Sequence, residues 1–317
     1  MNELRVERNK NFDEQILWGK PVVETDCENL ITEDTLVYID GQPQILYVNL
    51  RLSLEERTRL VWACKNIRYE KSVRSGRYAV KTESATFGYM PRRSLFQDFC
   101  YKALKAKDDP RTELIFADYA LKLEEIYRKN FPDVYEAHKQ LSDQKILSEW
   151  KLDGSIFSSG ISNQNNQLPY HRDNGNFKGV YSNMIGFKKD IVVGHLICPE
   201  IDLKFEISDG SLLIFNGQDI LHGVSPIIKA SPEAYRYTVV YYTLQQMWNC
   251  LPIGEEVKRI RKVKETRELK RLEIIRAQEA GEPLPLTKEQ KALLKLKETG
   301  QARKRKPGQG NNRVKTE

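Results

Sequence analysis

No stretch of this chain approaches the roughly 18 consecutive apolar residues that a transmembrane helix requires. Its first fifteen residues, MNELRVERNKNFDEQ, lack the apolar core of a secretory signal. Cysteine is sparse. Cys27, Cys64, Cys100, Cys198 and Cys250 are an odd number, lie far apart and form no C-x-x-C pair. That spacing argues against a disulfide framework and a zinc knuckle, so each thiol is expected to be a small buried hydrophobe. It favours a reducing, intracellular compartment, either the cytoplasm of a microbe or phage-infected cell or a eukaryotic nucleus. Histidine is scarcer still, with four in 317 residues. Any imidazole chemistry must therefore draw on His138, His171, His195 and His222.

What the chain does have is enough apolar and charged residue for a folded body, 40% and 30% respectively. Its net charge of +7 is unevenly placed. From Gly254 to Glu317 there are 19 Lys and Arg against 10 Asp and Glu, while the preceding residues nearly balance. A near-neutral body with a basic tail suits contact with a polyanion, although a solvated helix with a disordered end would look the same.

Residues 1–33 read as an irregular arm. The runs in LVYIDGQPQILYVNL (36–50) flank Asp40-Gly41 and predict a hairpin. Ser53 followed by Glu56 predicts a capping box opening a helix over 53–65. Apolar residues at helical spacing predict helices over 94–107 and 112–130, split by Asp108-Asp109-Pro110. From about Ser155 short β-rich runs alternate with turns at Asp209-Gly210 and Asn216-Gly217, as in a barrel or a double-sheet jelly roll. Residues 255–280 read as a charged helix, 288–297 as a short second one, and 302–317 as disordered, with RKRK at 303–306. The fold expected is α+β, with the helices packed on one face of a sheet.

His171-Arg172-Asp173 places an imidazole and a carboxylate two residues apart, on one face of an extended segment. His222 follows Asp173 by 49 residues, just past the run SLLIF and the Asn216-Gly217 turn. Two histidines and one carboxylate on β scaffolding match the facial triad that holds non-haem Fe(II) with open positions. Arg236, 14 residues beyond His222, shares a strand face with Thr238. A guanidinium beside a hydroxyl suits the distal carboxylate of 2-oxoglutarate. His138, in a charged helical context, is expected at the surface, and His195, inside an apolar strand, is expected to be structural or to face the cofactor.

The stretch from about Ser158 to Tyr242 resembles the Fe(II)/2-oxoglutarate dioxygenases of the TET/JBP group, and in particular their small phage and microbial members. The resemblance is carried by SSGISNQNNQLPYHRDNGN (158–176), SNMIGFKKDIVVGHLICPE (182–200), DGSLLIFNGQDILHGVSPI (209–227) and YRYTVVYYT (235–243). FGYMPRR (87–93) resembles the entry to the helical part of such proteins, less specifically. The resemblance implies a double-stranded β-helix (jelly-roll) core at about 155–245 within a catalytic domain over 34–253, followed by a basic tail at 254–317. It implies Fe(II) on His171, Asp173 and His222, 2-oxoglutarate on Arg236 with Thr238 assisting, and O₂ as oxidant. The implied reaction is hydroxylation of a pyrimidine 5-methyl group in double-stranded DNA, with the base flipped out. 5-Methylcytosine is favoured, with thymine close behind. Asn176 corresponds to a residue near the target base. Tyr170, Phe157 and Tyr181 are candidate stacking partners, and Asn163, Asn165 and Asn166 candidate polar contacts. Arg92-Arg93 and Arg303–Lys306 are candidate phosphate contacts. Gly194-His195 departs from the Gly-Gly-like step of many relatives, which would narrow the pocket. The triad itself serves equally a prolyl or lysyl hydroxylase of proteins, and a non-enzymatic nucleic-acid-binding module on the same fold is a third reading.

Overall fold

The computed structural model describes residues 1–74, 80–93, 98–103 and 109–281. In chain order its elements are β1 (Asn2–Val6), α1 (Glu14–Leu17), β2 (Asn29–Ile31), β3 (Thr35–Ile39), β4 (Gln42–Asn49), α2 (Leu54–Asn66), β5 (Glu70–Arg74), β6 (Val80–Met90) and β7 (Tyr101–Lys102). Then come α3 (Arg111–Asn130), α4 (Pro132–Lys145), β8 (Ser159–Gln164), β9 (Ser182–Lys189), β10 (Leu196–Cys198), β11 (Leu203–Phe205), β12 (Ser211–Phe215), β13 (Gly223–Val224), β14 (Tyr235–Tyr242) and α5 (Ile253–Glu279). The chain divides into two compact units, Met1–Val257 and a second beginning at Lys258. No helix among the described residues is long and apolar enough to cross a membrane.

Two sheets organise the first unit. The larger has ten strands in the order β1-β3-β4-β12-β9-β14-β8-β6-β5, with β7 on β6, and the smaller runs β13-β10-β11-β2. One face of the large sheet packs on helices: Leu60 and Cys64 of α2, Phe116 and Leu123 of α3 and Tyr135 of α4 meet Phe87, Ile185, Leu212 and Tyr241. The other face meets the small sheet, where Ile45, Tyr47, Leu213 and Phe215 pack on Leu196, Cys198, Phe205 and Val224. The central strands are thus buried on both faces. This is why they read as continuous β-rich runs rather than as a polar-apolar alternation.

The hairpin at β3–β4 forms as expected, with Asp40 and Gly41 both at positive φ in its turn. So does the capping box: Ser53 Oγ accepts from the Glu56 N–H at 3.1 Å, and Glu56 accepts from the Ser53 N–H at 2.9 Å. The N-terminal arm is not irregular. It gives β1 to the large sheet, parallel to β3, and β2 to the small one, parallel to β11. Long-range parallel pairing leaves no local turn signal, so the sequence hides it. The helix expected over 94–107 falls partly on residues outside those described. Within it Tyr101 and Lys102 are strand, paired with Met90 and Tyr89. The helix expected at 288–297 and the tail at 302–317 lie outside the described residues.

Cys100 and Cys250 form a disulfide, with Cα atoms 5.8 Å apart across 150 residues of sequence. This corrects the expectation that every cysteine stays a thiol. Beside the pair, Glu256 at the start of α5 is ion-paired with Arg92 and accepts the Cys100 N–H at 3.0 Å. Its carboxylate also accepts the Leu251 N–H at 3.4 Å, so it touches both segments that the disulfide joins. Cys27, Cys64 and Cys198 are buried thiols. Burial pushes the first two up to about 12.

His138 is a second correction, since it is wholly buried. It lies on a stripe with Tyr135 and Ser142 that α4 turns inward, while the charged residues that suggested exposure cover the opposite face. Its Nε2 lies 2.8 Å from Thr243 Oγ1, and Thr243 donates its own proton to Ile156 O. Nε2 must therefore carry the hydrogen, leaving Nδ1 without a partner among the described residues, in a shell that includes Tyr127 and Phe157. Burial first, then the charge of Lys151, lowers the pKa from 6.5 to about 3. The unfolded chain thus takes up a proton that the folded chain refuses. Its contribution to stability is present above pH 6.5 and is lost as the pH falls towards 3, by up to about 1.4 kcal/mol per pH unit. Denaturant unfolding of His138→Gln and the parent across pH 4–7 should give curves that converge towards acid. Parallel curves would show that His138 does not titrate on unfolding.

Candidate active site

Between the two sheets lies a cavity of about 330 Å³, which holds most of the residues singled out by the sequence. Strand β14 shows how the chain builds it. Its odd positions, Tyr235, Tyr237, Val239 and Tyr241, face the helices, whereas Arg236, Thr238, Val240 and Tyr242 line the cavity. Neighbouring β8 contributes Ile161 and Asn163, β9 Met184 and β12 Phe215. The small sheet closes the cavity with Leu196 and Val224.

His171 and His222 are brought together by a backbone pair in which each N–H donates to the other residue's carbonyl, at 2.9 and 3.0 Å. Their rings lie 4.5 Å apart, centre to centre. The Asp173 N–H donates to Gly217 O at 2.8 Å, which holds its carboxylate over the same spot. His171 Nε2 and Asp173 Oδ1 are 3.8 Å apart, and one ligand atom from each of the three residues falls within 4.8 Å of the others. Both imidazoles share one hydrogen-bond pattern: Nδ1 of His171 meets Pro169 O at 2.8 Å, and Nδ1 of His222 meets Ile220 O at 2.9 Å. A carbonyl only accepts, so each Nδ1 carries the hydrogen and each Nε2 presents its lone pair inward, as a metal ligand needs. The chemistry of the donor set and its one-sided arrangement fit a divalent iron with open positions.

Arg236 is 2% exposed, and its Nε and Nη2 have no hydrogen-bond partner among the described residues. Burial alone pulls its pKa down to about 10. A buried guanidinium with two idle donors is costly unless an anion completes it. Gly194, at φ +95°, packs against this side chain: a Cβ there would lie 3.2 Å from Arg236 Cδ. Thr238 Oγ1, two residues along the same face, is 3.4 Å from Asn163 Nδ2.

Asn176 lines the cavity, with its Nδ2 3.0 Å from Ser182 Oγ. The proposed stacking aromatics do not. Tyr170 points away, donating its hydroxyl to Asp26 at 2.7 Å inside a separate cluster with Val22 and Leu221. Phe157 and Tyr181 belong to the helix-side core. Among the described residues the cavity is lined by two other aromatics, Phe215 and Tyr242, the latter six positions after Arg236 and on the same strand face. An even spacing from Arg236 was the available signal. Asn163 and Asn166 line the cavity but are engaged with Ser84 and with each other, and Asn165 sits at φ +50° in a turn. His195 turns out of the cavity, its Nδ1 2.6 Å from Glu24 Oε1, so it does not narrow the pocket. Arg92 is taken by Glu256, whereas Arg93 is exposed and lines the cavity.

Residues 100–245 match the model of the Tet_JBP family, described as the oxygenase domain of the 2OGFeDO superfamily. No curated protein matches the chain. Among solved structures, NgTET1 in complex with 5mC DNA aligns over 83% of this chain and 91% of its own, at 14% identity and a TM-score of 0.52. An oxidoreductase of the 2OG-Fe(II) oxygenase family from Burkholderia pseudomallei aligns over 63% and 85%, at 9% identity and a TM-score of 0.42. The paired sheets and the His-Asp-His cluster agree with the family match, and residues 100–245 carry a Tet_JBP-type oxygenase domain of the 2OGFeDO superfamily.

Proposed function

We propose that this chain hydroxylates the 5-methyl group of a pyrimidine in double-stranded DNA, with 5-methylcytosine as the favoured base. The observation that carries the reading is the union, in one cavity, of a three-ligand metal cluster and a buried guanidinium with idle donors. In this reading His171, Asp173 and His222 hold the iron, and the two sheets are the walls of a double-stranded β-helix. Arg236, assisted by Thr238, takes the far carboxylate of 2-oxoglutarate in a water-excluded end of the cavity. When bound, the iron supplies with O₂ and 2-oxoglutarate the oxidising equivalent that converts a methyl group to a hydroxymethyl group. The protein's part is to orient and to exclude water. Apolar walls at Met184, Leu196 and Phe215 keep the reacting centre dry, while Asn176 and Tyr242 offer a polar group and an aromatic face to a flipped base. The choice of DNA draws support from the NgTET1 complex, from Arg93 at the cavity and from the basic residues of the C-terminal tail.

The test is nucleoside mass spectrometry after incubation with Fe(II), 2-oxoglutarate, ascorbate and a duplex carrying both thymine and 5-methylcytosine. One oxygen should be gained on 5-methylcytosine, and the gain should vanish in His171→Ala. Gain on thymine instead would overturn the base preference. Succinate formed over an unmodified duplex would sink the DNA reading and turn attention to protein side chains.

A further inference from the structure

We infer that Arg172 is a positioning residue for the iron ligands, the hub of a charge network through which residues 8–26 brace the two segments that carry them. The inference rests on the reading of His171, Asp173 and His222 as a metal site. Those segments, 169–173 and 216–222, are mostly outside regular structure. Among the described residues the backbone joins them through the His171–His222 pair and the Asp173–Gly217 hydrogen bond, with the Val224 N–H to Leu168 O bond just beyond. A facial triad needs its ligand atoms fixed within about 0.5 Å, which so little ladder does not ensure.

The missing rigidity comes from the N-terminal residues. In an extended chain Arg172 projects opposite to His171 and Asp173. Its Nε donates to Glu14 Oε2 at 2.9 Å, and Nη2 lies 2.8 Å from the same oxygen. Nη1 donates to Asp219 O, in the turn that leads to His222. Nη2 also lies 3.5 Å from Glu200 Oε2. Glu200 is buried, and its other oxygen accepts the N–H of Leu221 at 2.7 Å, one residue before the third ligand. Arg8 closes the circuit with ion pairs to Glu200 at 3.5 Å, to Asp219 and to Asp40 at 3.3 Å. Beside this network the backbones of Gly19 and Lys20 exchange hydrogen bonds with Tyr170, at 2.8 and 3.0 Å. One planar guanidinium thus ties the first ligand segment to the second and both to α1. A lysine, with a single point charge, cannot span three acceptors in this way.

The experiment titrates apo-protein with Co(II), a spectroscopic stand-in for Fe(II), and follows the ligand-field absorption of the bound ion. Circular dichroism confirms at the same temperature that each variant is folded. Arg172→Met should weaken Co(II) binding about 10- to 100-fold, the usual effect of losing an outer partner of a metal ligand. Arg172→Lys should not restore it. If Arg172→Met does not fold, Glu14→Gln decides. That carboxylate is 44% exposed, and its loss should weaken binding about 3-fold without unfolding. Parent-like Co(II) affinity in the deciding variant overturns the inference. A parent protein that takes up no Co(II) overturns instead the metal reading on which it stands.

Discussion

Gly217→Ala is expected to abolish turnover and to lower metal affinity on the order of 100-fold or more, with the fold intact. A Cβ at Gly217 would stand 2.2 Å from Asp173 Oδ2, 2.9 Å from its Cγ and 3.2 Å from His222 Cε1. The first two contacts are closer than any real Cβ contact, so something must move. Backbone movement is opposed by the Asp173 N–H to Gly217 O bond and by the His171–His222 pair beyond it. The carboxylate is the softer partner, and rotating it away removes the anionic member of the triad. Gly254→Ala, where a Cβ meets nothing within 4 Å, is the matched control and should behave as the parent. Calorimetric titration with Fe(II) under argon, beside succinate release, measures both consequences. Parent-like iron affinity in Gly217→Ala would mean that Asp173 does not ligate from the position it holds here.

What was readable in advance and what was not divides along the range of the interaction. The β3–β4 hairpin and the α2 cap are written in adjacent residues, and they formed as expected. The cluster of His171, Asp173 and His222 was readable because chemistry restricts it to scarce residue types on β scaffolding, and the chain has few histidines to choose from. Arg236 was legible from its spacing, 14 residues beyond His222, and from the strand face it shares with Thr238. Tyr170 is next to His171 in sequence but does not line the cavity. Successive residues in an extended segment alternate, and Tyr170 lies on the side facing Asp26. In sequence Gly217 reads only as a turn residue, because its closeness to Asp173 arises between two loop segments far apart in the chain. The burial of His138, the Cys100–Cys250 pairing and the strands of the N-terminal arm were hidden for the same reason. Each is decided by a partner more than 30 residues away.

Arg236→Met should separate activity from stability with opposite signs. The guanidinium is 2% exposed, and two of its donors are idle in the absence of a ligand. Its depressed pKa, about 10, reflects the cost of holding that charge out of water. Methionine keeps the unbranched stem that packs against Gly194 and removes the charge. Replacing an uncompensated buried charge with an apolar side chain of similar shape should stabilise the ligand-free protein by about 1–4 kcal/mol. The melting temperature without co-substrate should therefore rise. The parent gains what the variant lacks once 2-oxoglutarate is added: at a concentration 100 times its Kd, a ligand confined to the native state contributes about 2.7 kcal/mol. The parent's melting temperature should climb with 2-oxoglutarate while that of Arg236→Met stays level, so the order of the two should narrow or reverse. The KM for 2-oxoglutarate should rise on the order of 10²- to 10³-fold, because the distal carboxylate would enter a dry site with no countercharge. Thermal melts of metal-loaded protein under argon, with and without 2-oxoglutarate, read the two signs in one series. A variant destabilised without ligand would show that Arg236 is already compensated by the fold. A parent that 2-oxoglutarate fails to stabilise would mean that the idle donors await a different anion.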